Sequence, residues 1–279
     1  VKLQTYTKCE DGSTKVSFNE PTVADAFQFE DINPKLEQKA LTEYLNHMLS
    51  DGQDHDSKNW TVYDRITALM WIYVLSRDDR SVLMTYQCKY CNEEHGVPVD
   101  LASLFKSLVY AGREMKEPFE FGNLKGVIVP LRGYAMERLE QLTNLRDSHP
   151  INSKAYKARN DDIYLYRIAY SVELDGEDES LSPDERADQR VEEFLKRPLK
   201  DKSFQSLVAK VRIVASEMRH GLPCVIRDGG VLLVTQEHEC PNTEGAKTRL
   251  MLPFQAVDYM PSLQLEGQET ADQLAFILD

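Results

Sequence analysis

Two kinds of hydrophobic spacing alternate along the chain. Leu36, Ala40, Tyr44, Leu45, Met48 and Leu49 recur at helical intervals, and Asn33-Pro34 just before them reads as a cap followed by a first helical residue. Thr61 and Asp64 form a T-x-x-D start, after which Val62, Ile66, Leu69, Met70 and Tyr73 predict one buried helix face, with Trp60 placed to staple it. The spacing of Met136, Leu139, Leu142 and Leu145 predicts a helix over 132–145. The run 163–174, nearly all apolar and rich in tyrosine, reads as a buried helix. Ser182-Pro183-Asp184-Glu185 is the clearest helix start, with Val191, Phe194 and Leu195 as its apolar face. A further helix runs over 201–219 through Phe204, Leu207, Val208, Val211, Val214, Ala215 and Met218, ending at His220-Gly221. Residues 102–110 suit either helix or strand.

The second kind of spacing predicts strands. Segments 82–86 and 97–101 flank a polar turn holding Cys88, Cys91 and His95. Segment 231–254 repeats that plan around Cys240. Segments 119–121 and 125–131 read as further strands, and 2–7 and 15–18 as short ones. The expected fold is α+β: a mainly helical body with two short β-hairpins, 81–101 and 231–254, forming a zinc-ribbon-like element. Residues 1–32 read as an N-terminal arm, 33–257 as a single body and 258–279 as a C-terminal tail. The polar stretch 175–182 is the best internal boundary.

The hairpins carry the candidate chemistry. A strand, a Cys-x-x-Cys turn and a second strand make half of a zinc ribbon, and a tetrahedral zinc needs two more ligands from elsewhere. Cys88 lies nine residues before Val97, and Cys240 nine before Arg249. In that register Cys91 falls opposite Thr243, so the second turn lacks one cysteine. The expected metal ligands are Cys88, Cys91 and Cys240, with His238 or His95 in the fourth position. The loop 50–59 holds Asp51, Asp54, His55 and Asp56 but has no glycine at the turn position and no glutamate at the twelfth position of a calcium loop, and reads as solvated.

Composition narrows the function. The formal net charge of −13 opposes broad binding to nucleic acid or anionic membrane and favours protein partners. No apolar run approaches the roughly 20 residues needed to span a bilayer, and no secretory leader pattern opens the chain. Five widely spread cysteines do not form a disulfide framework, which points to a reducing cytoplasm. Phosphate-binding loops, GxGxxG, GxSxG and HExxH are all absent. A redox role for Cys88-x-x-Cys91 would want the motif at a helix start, whereas a turn and a strand follow it.

Four segments occur in a characteristic order: DRITALMWIYVLS, CKYCNEEHGVPVDL, GVIVPLRGYAMERLEQL and, after a helical middle, a second cysteine turn leading into RLMLPF. In this order the chain resembles the T4-type bacteriophage baseplate family, over roughly residues 35–255. The resemblance implies a helical protein with a zinc-ribbon-like pair of cysteine turns. It also implies a non-enzymatic role in building or forming part of a contractile-tail baseplate, in the host cytoplasm during assembly or in the virion. Thr243 departs from the family pattern, standing where a last cysteine is expected. Partners would be other tail proteins, with no nucleic acid and no small-molecule substrate. The ends, through Tyr6, Phe18, Phe27, Tyr259 and Phe276, are the expected contact segments.

Overall fold

The computed structural model describes the whole chain except residues 51, 54, 198–201, 228–229, 263–275 and 278–279. Asp51 and Asp54 of the acidic loop therefore lie outside the described residues. The fold is α+β, as the spacing predicts, and its sheets are small and antiparallel.

The N-terminal segment forms β1 (Tyr6–Thr7), β2 (Lys15–Val16) and α1 (Val23–Phe29). Next come α2 (Glu37–Met48), approached through a 3-10 turn capped by Asn33, and α3 (Val62–Leu75). Thr61 caps α3 by accepting from the Asp64 amide. The helix is buried nearly all round: beyond the expected face, Thr67, Ala68, Ile72 and Val74 are shielded too. A helix that is apolar on every side belongs at the centre of a body. Truncating Leu69 or Ile72 to alanine would cost about 2–5 kcal/mol.

The expected N-terminal arm is corrected by this packing. Tyr6, Cys9, Val16 and Phe18 are at most 2% exposed and belong to the main core with α2 and α3. The physical reason is a polar knot. Buried Asp64 accepts hydrogen bonds from the Tyr6 hydroxyl (2.8 Å) and the Cys9 amide (2.6 Å), so the segment cannot leave without stranding a buried carboxylate. Tyr259 is also a core residue, packed on Phe254 and Tyr73. Phe27 alone of these expected contact residues is seen exposed, and the side chain of Phe276 lies outside the description.

Past α3 the first hairpin forms, β3 (Ser81–Gln87) and β4 (Glu94–Asp100). The ambiguous segment after it is a 3-10 stretch, Leu101–Ser107. A second core then gathers around the sheet of β5 (Glu117–Phe121), β6 (Leu124–Ile128) and β7 (Val172–Leu174). Against it lie α5 (Lys154–Tyr170), α6 (Pro183–Leu195) and α7 (Ser203–Glu217), while α4 (Gly133–Asp147) touches both cores. One expectation is corrected here. The helix expected over 163–174 begins nine residues earlier, where Ser153 caps it, and its last residues turn into β7. Within the expected single body, the stretch 175–182 is spanned by one core. The second core draws residues from both sides of it, and Glu177 within it pairs with the buried Arg190.

The chain closes with β8 (Cys224–Arg227), β9 (Gly230–Glu239), β10 (Lys247–Phe254) and β11 (Phe276–Ile277), joined in the order β11-β10-β9-β8. The rest of the 258–279 tail falls mostly outside the described residues. Among the described residues no helix is long and apolar enough to cross a membrane.

Candidate metal centre

In the β3–β4 hairpin Tyr86 stands directly opposite His95 and Gln87 opposite Glu94. Directly opposed residues share a face, and so do residues two apart on one strand. Tyr86, Cys88 and His95 therefore point to the same side. The turn between the strands is closed by Cys88 N–H donating to Glu93 O (2.9 Å) and Asn92 N–H donating to Cys88 O (2.8 Å). Asn92 takes the left-handed conformation this needs, at φ 59°. Cys91 is thereby lifted toward Cys88 at the tip of the hairpin.

The β9–β10 turn is built similarly. Cys240 N–H donates to Ala246 O at 2.8 Å, and Gly245 supplies the positive φ (75°). Thr243, opposite Cys91 in the sequence register, places a hydroxyl, not a fourth thiolate, beside Cys240 and helps to lower its pKa. The two turns meet directly: Asn242 Nδ2 donates to Glu93 Oε2 at 2.6 Å, and the Tyr90 hydroxyl to Lys247 O at 3.2 Å.

This meeting brings Cys88, Cys91, His95 and Cys240 together, with one donor atom from each lying within 4.8 Å of all the others. The Cys88 and Cys240 sulfurs are 3.5 Å apart and those of Cys91 and Cys240 3.7 Å. His95 Nε2 is 3.0 Å from Cys91 Sγ and 3.9 Å from Cys240 Sγ. Two sulfurs bound tetrahedrally to zinc at 2.3 Å are separated by about 3.8 Å, and a sulfur and a nitrogen by about 3.6 Å. The donor set and its spacing suit a metal such as zinc. Cys88 is fully shielded, Cys240 nearly so, and Cys91 and His95 are half-buried.

The electrostatics favour metal-ready sulfur at one position. Burial acts to raise the Cys240 thiol, but the Asn242 amide, the Thr243 hydroxyl and the neighbouring thiols hydrogen-bond to its sulfur and hold it down to about 6. At Cys91 burial and the two neighbouring thiols push the other way, and its pKa is raised.

The three expected cysteines thus converge, and the histidine that joins them is His95. His238 is not in the group. It lies two residues before Cys240, a displacement of about 6.6 Å along an extended strand, and sits opposite Thr248 in the sheet. Burial lowers its pKa, and its Nε2 has no hydrogen-bond partner among the described residues. Strand alternation puts each histidine on the face of a cysteine, His95 with Cys88 through Tyr86 and His238 with Cys240, and only the meeting of the two turns separates them.

Sequence reasoning missed the second polar cluster. His220, expected only as part of a helix end, is buried, with Nε2 2.7 Å from Thr61 Oγ1 and 3.8 Å from Asp64 Oδ2. Cys9 lies beside Asp64, which gives the outline of a Cys-His-Asp set. Cys9 and Asp64 are 0% exposed and His220 2%, so nothing in solution reaches them in this fold. Burial, with Asp64 beside it, pushes the Cys9 thiol up to about 12, away from a nucleophilic thiolate. The cluster is a packing device that joins the N-terminal segment, α3 and the end of α7.

No protein-family model, curated protein or solved structure matches this chain.

Proposed function

We propose that the chain is a non-enzymatic structural or assembly protein of a contractile phage-tail baseplate, acting through protein–protein contacts and stapled by a structural zinc. The observation that carries the structural part is the closed donor set. Cys88, Cys91, His95 and Cys240 supply four protein ligands, the full complement of a structural tetrahedral site, whereas a catalytic zinc keeps a position for water or substrate. The ligands come from turns that are far apart in sequence, so the metal's role is to fasten one hairpin to the other. Zinc at this site would supply folding free energy directly.

The baseplate part rests on the order of the four segments that resemble that family. The charge of −13 supports assembly with proteins that present basic surfaces, at rates that fall as salt rises. The rival reading, a thiol–disulfide enzyme, is disfavoured by the setting of Cys88-x-x-Cys91. Its cysteines lie in a turn between antiparallel strands, without the helix N-terminus that activates a redox thiol.

Fractionating infected cells for tails, baseplates and their precursors, and probing each with an antibody to this chain, tests the proposal. The chain should co-sediment with baseplates or their subassemblies, and loss of its gene should leave tails unassembled. Normal tails without the gene, or a chain confined to fractions free of tail proteins, would overturn it.

A further inference from the structure

We propose that the Cys3His centre is also an oxidative cross-linking site, at which hydrogen peroxide joins Cys91 to Cys240 as a disulfide and dismantles the ligand set. The inference rests on the metal reading above and adds a second, covalent state of the same site.

Access selects the first sulfur. Cys88 is 0% exposed and Cys240 7%, while Cys91 is only half-buried at the tip of its hairpin. A small oxidant therefore meets Cys91 first. Proximity selects the second. The Cys240 sulfur lies 3.7 Å from that of Cys91, so closing to a disulfide needs a movement of about 1.7 Å. Asn242 bonds Glu93 and Tyr90 bonds the Lys247 carbonyl across the turns, contacts that use none of the ligand atoms. Those contacts need not break as the ligand set comes apart. Cys9 and Cys224 are buried outside this group, so the pairing has no competing thiol there.

The chemistry balances with one peroxide. As a zinc ligand Cys91 would be held as its thiolate; that thiolate attacks a peroxide oxygen, an S–O bond forms, the O–O bond breaks, and hydroxide leaves with a sulfenic acid on Cys91. The Cys240 thiolate then attacks that sulfur; the S–S bond forms, the S–O bond breaks, and a second hydroxide leaves. The two sulfurs lose two electrons and the peroxide gains them. Cys88 and His95 alone remain as donors, which is too few for a tetrahedral zinc site. A dithiol reverses the change by thiol–disulfide exchange and restores all four donors.

Cleavage after lysine and arginine places every cysteine on its own peptide: 9–15, 81–89, 90–106, 220–227 and 228–247. Full-length zinc-loaded protein is titrated with hydrogen peroxide, released zinc is followed with a chromogenic chelator, and the peptides are mapped without reduction. The expected result is zinc released one-for-one with a 90–106/228–247 cross-link, reversed by dithiothreitol, while Cys9 and Cys224 stay open to alkylation after denaturation. Zinc retained with no cross-link, release with Cys91 oxidised to sulfinic acid, or a dominant 81–89/228–247 cross-link would overturn this proposal and leave the metal reading standing. Absence of zinc from protein that had been given zinc would overturn the metal reading itself, and this proposal with it.

Discussion

Cys88 and Cys240 are 152 residues apart in the chain, yet their sulfurs lie 3.5 Å apart. Their hairpins belong to separate sheets, with no ladder of backbone hydrogen bonds between them among the described residues. They share the main hydrophobic core and polar contacts between their turns, among them Asn242 Nδ2 donating to Glu93 Oε2 at 2.6 Å. A metal at the cysteine turns would be the strongest direct bond between the two sheets.

The two histidines near the site should behave differently. His95→Ala should lose most of the bound zinc and lower the melting temperature, because it removes a donor from a four-ligand site. His238→Ala should keep its zinc. Equal loss of zinc in both variants, measured by elemental analysis, would place His238 at the metal and refute the assignment of His95.

The N-terminal segment should prove to be part of the fold. Asp64→Ala leaves the Tyr6 hydroxyl and the Cys9 amide without their buried acceptor and should cost about 3 kcal/mol in urea denaturation. Burial works to raise the Asp64 pKa, but hydrogen bonds from His220, Tyr6 and Cys9 outweigh it and the net shift is downward. The carboxylate's contribution is therefore complete above its unfolded value of 3.8 and is lost as the pH falls through the lower folded value. Deleting residues 1–30 should abolish cooperative unfolding. A truncated chain that melts like the full one would restore the arm.

Glu140 should make the protein less stable as pH rises. Burial is the main cause that lifts its carboxyl from 4.5 to about 7, against the amides of Gln38 and Lys39 that favour the ionised form. A raised folded pKa in an acid means that the folded state holds the proton more tightly. The stabilisation is full below pH 4.5 and is lost as pH climbs toward about 7. Glu140→Gln should remove much of the decline in melting temperature between pH 5 and pH 8, and an unchanged decline would contradict this origin.

Gly133 is required by close packing at the start of α4. A Cβ there would lie 2.7 Å from Arg65 Nη1 and 2.8 Å from the Lys58 carbonyl, inside contact distance of a fully buried arginine. Gly133→Ala should destabilise the fold by about 1–3 kcal/mol, the usual cost of overpacking. Gly176→Ala, with open space around its Cβ but φ 81°, tests backbone strain without crowding. If Gly133→Ala proved no more costly than Gly176→Ala, the packing explanation would fail.

Local patterns carried much of the fold. The capping box of Ser182 and Glu185, the Thr61 cap and the two hairpins all arise from residues near each other in sequence, and each forms as its spacing predicts. The start of α5 was illegible because its first turns, Lys154–Asp162, are mostly exposed and carry no apolar stripe. The burial of Tyr6, Cys9 and His220 depends on contacts with Asp64 that are 55 or more residues distant, and no short window contains both partners. The metal centre was legible in part. Its cysteines announce themselves by turn and spacing, whereas choosing His95 over His238 needed the packing of one turn on the other, which no single hairpin shows.

The zinc content of the gently purified full-length chain tests the central claim most directly. Elemental analysis should find one zinc per chain, and Cys240→Ser should lose it together with the stability that zinc confers on the wild-type protein. A wild-type chain free of metal, whose melting temperature is unmoved by added zinc or by a chelator, would contradict the account.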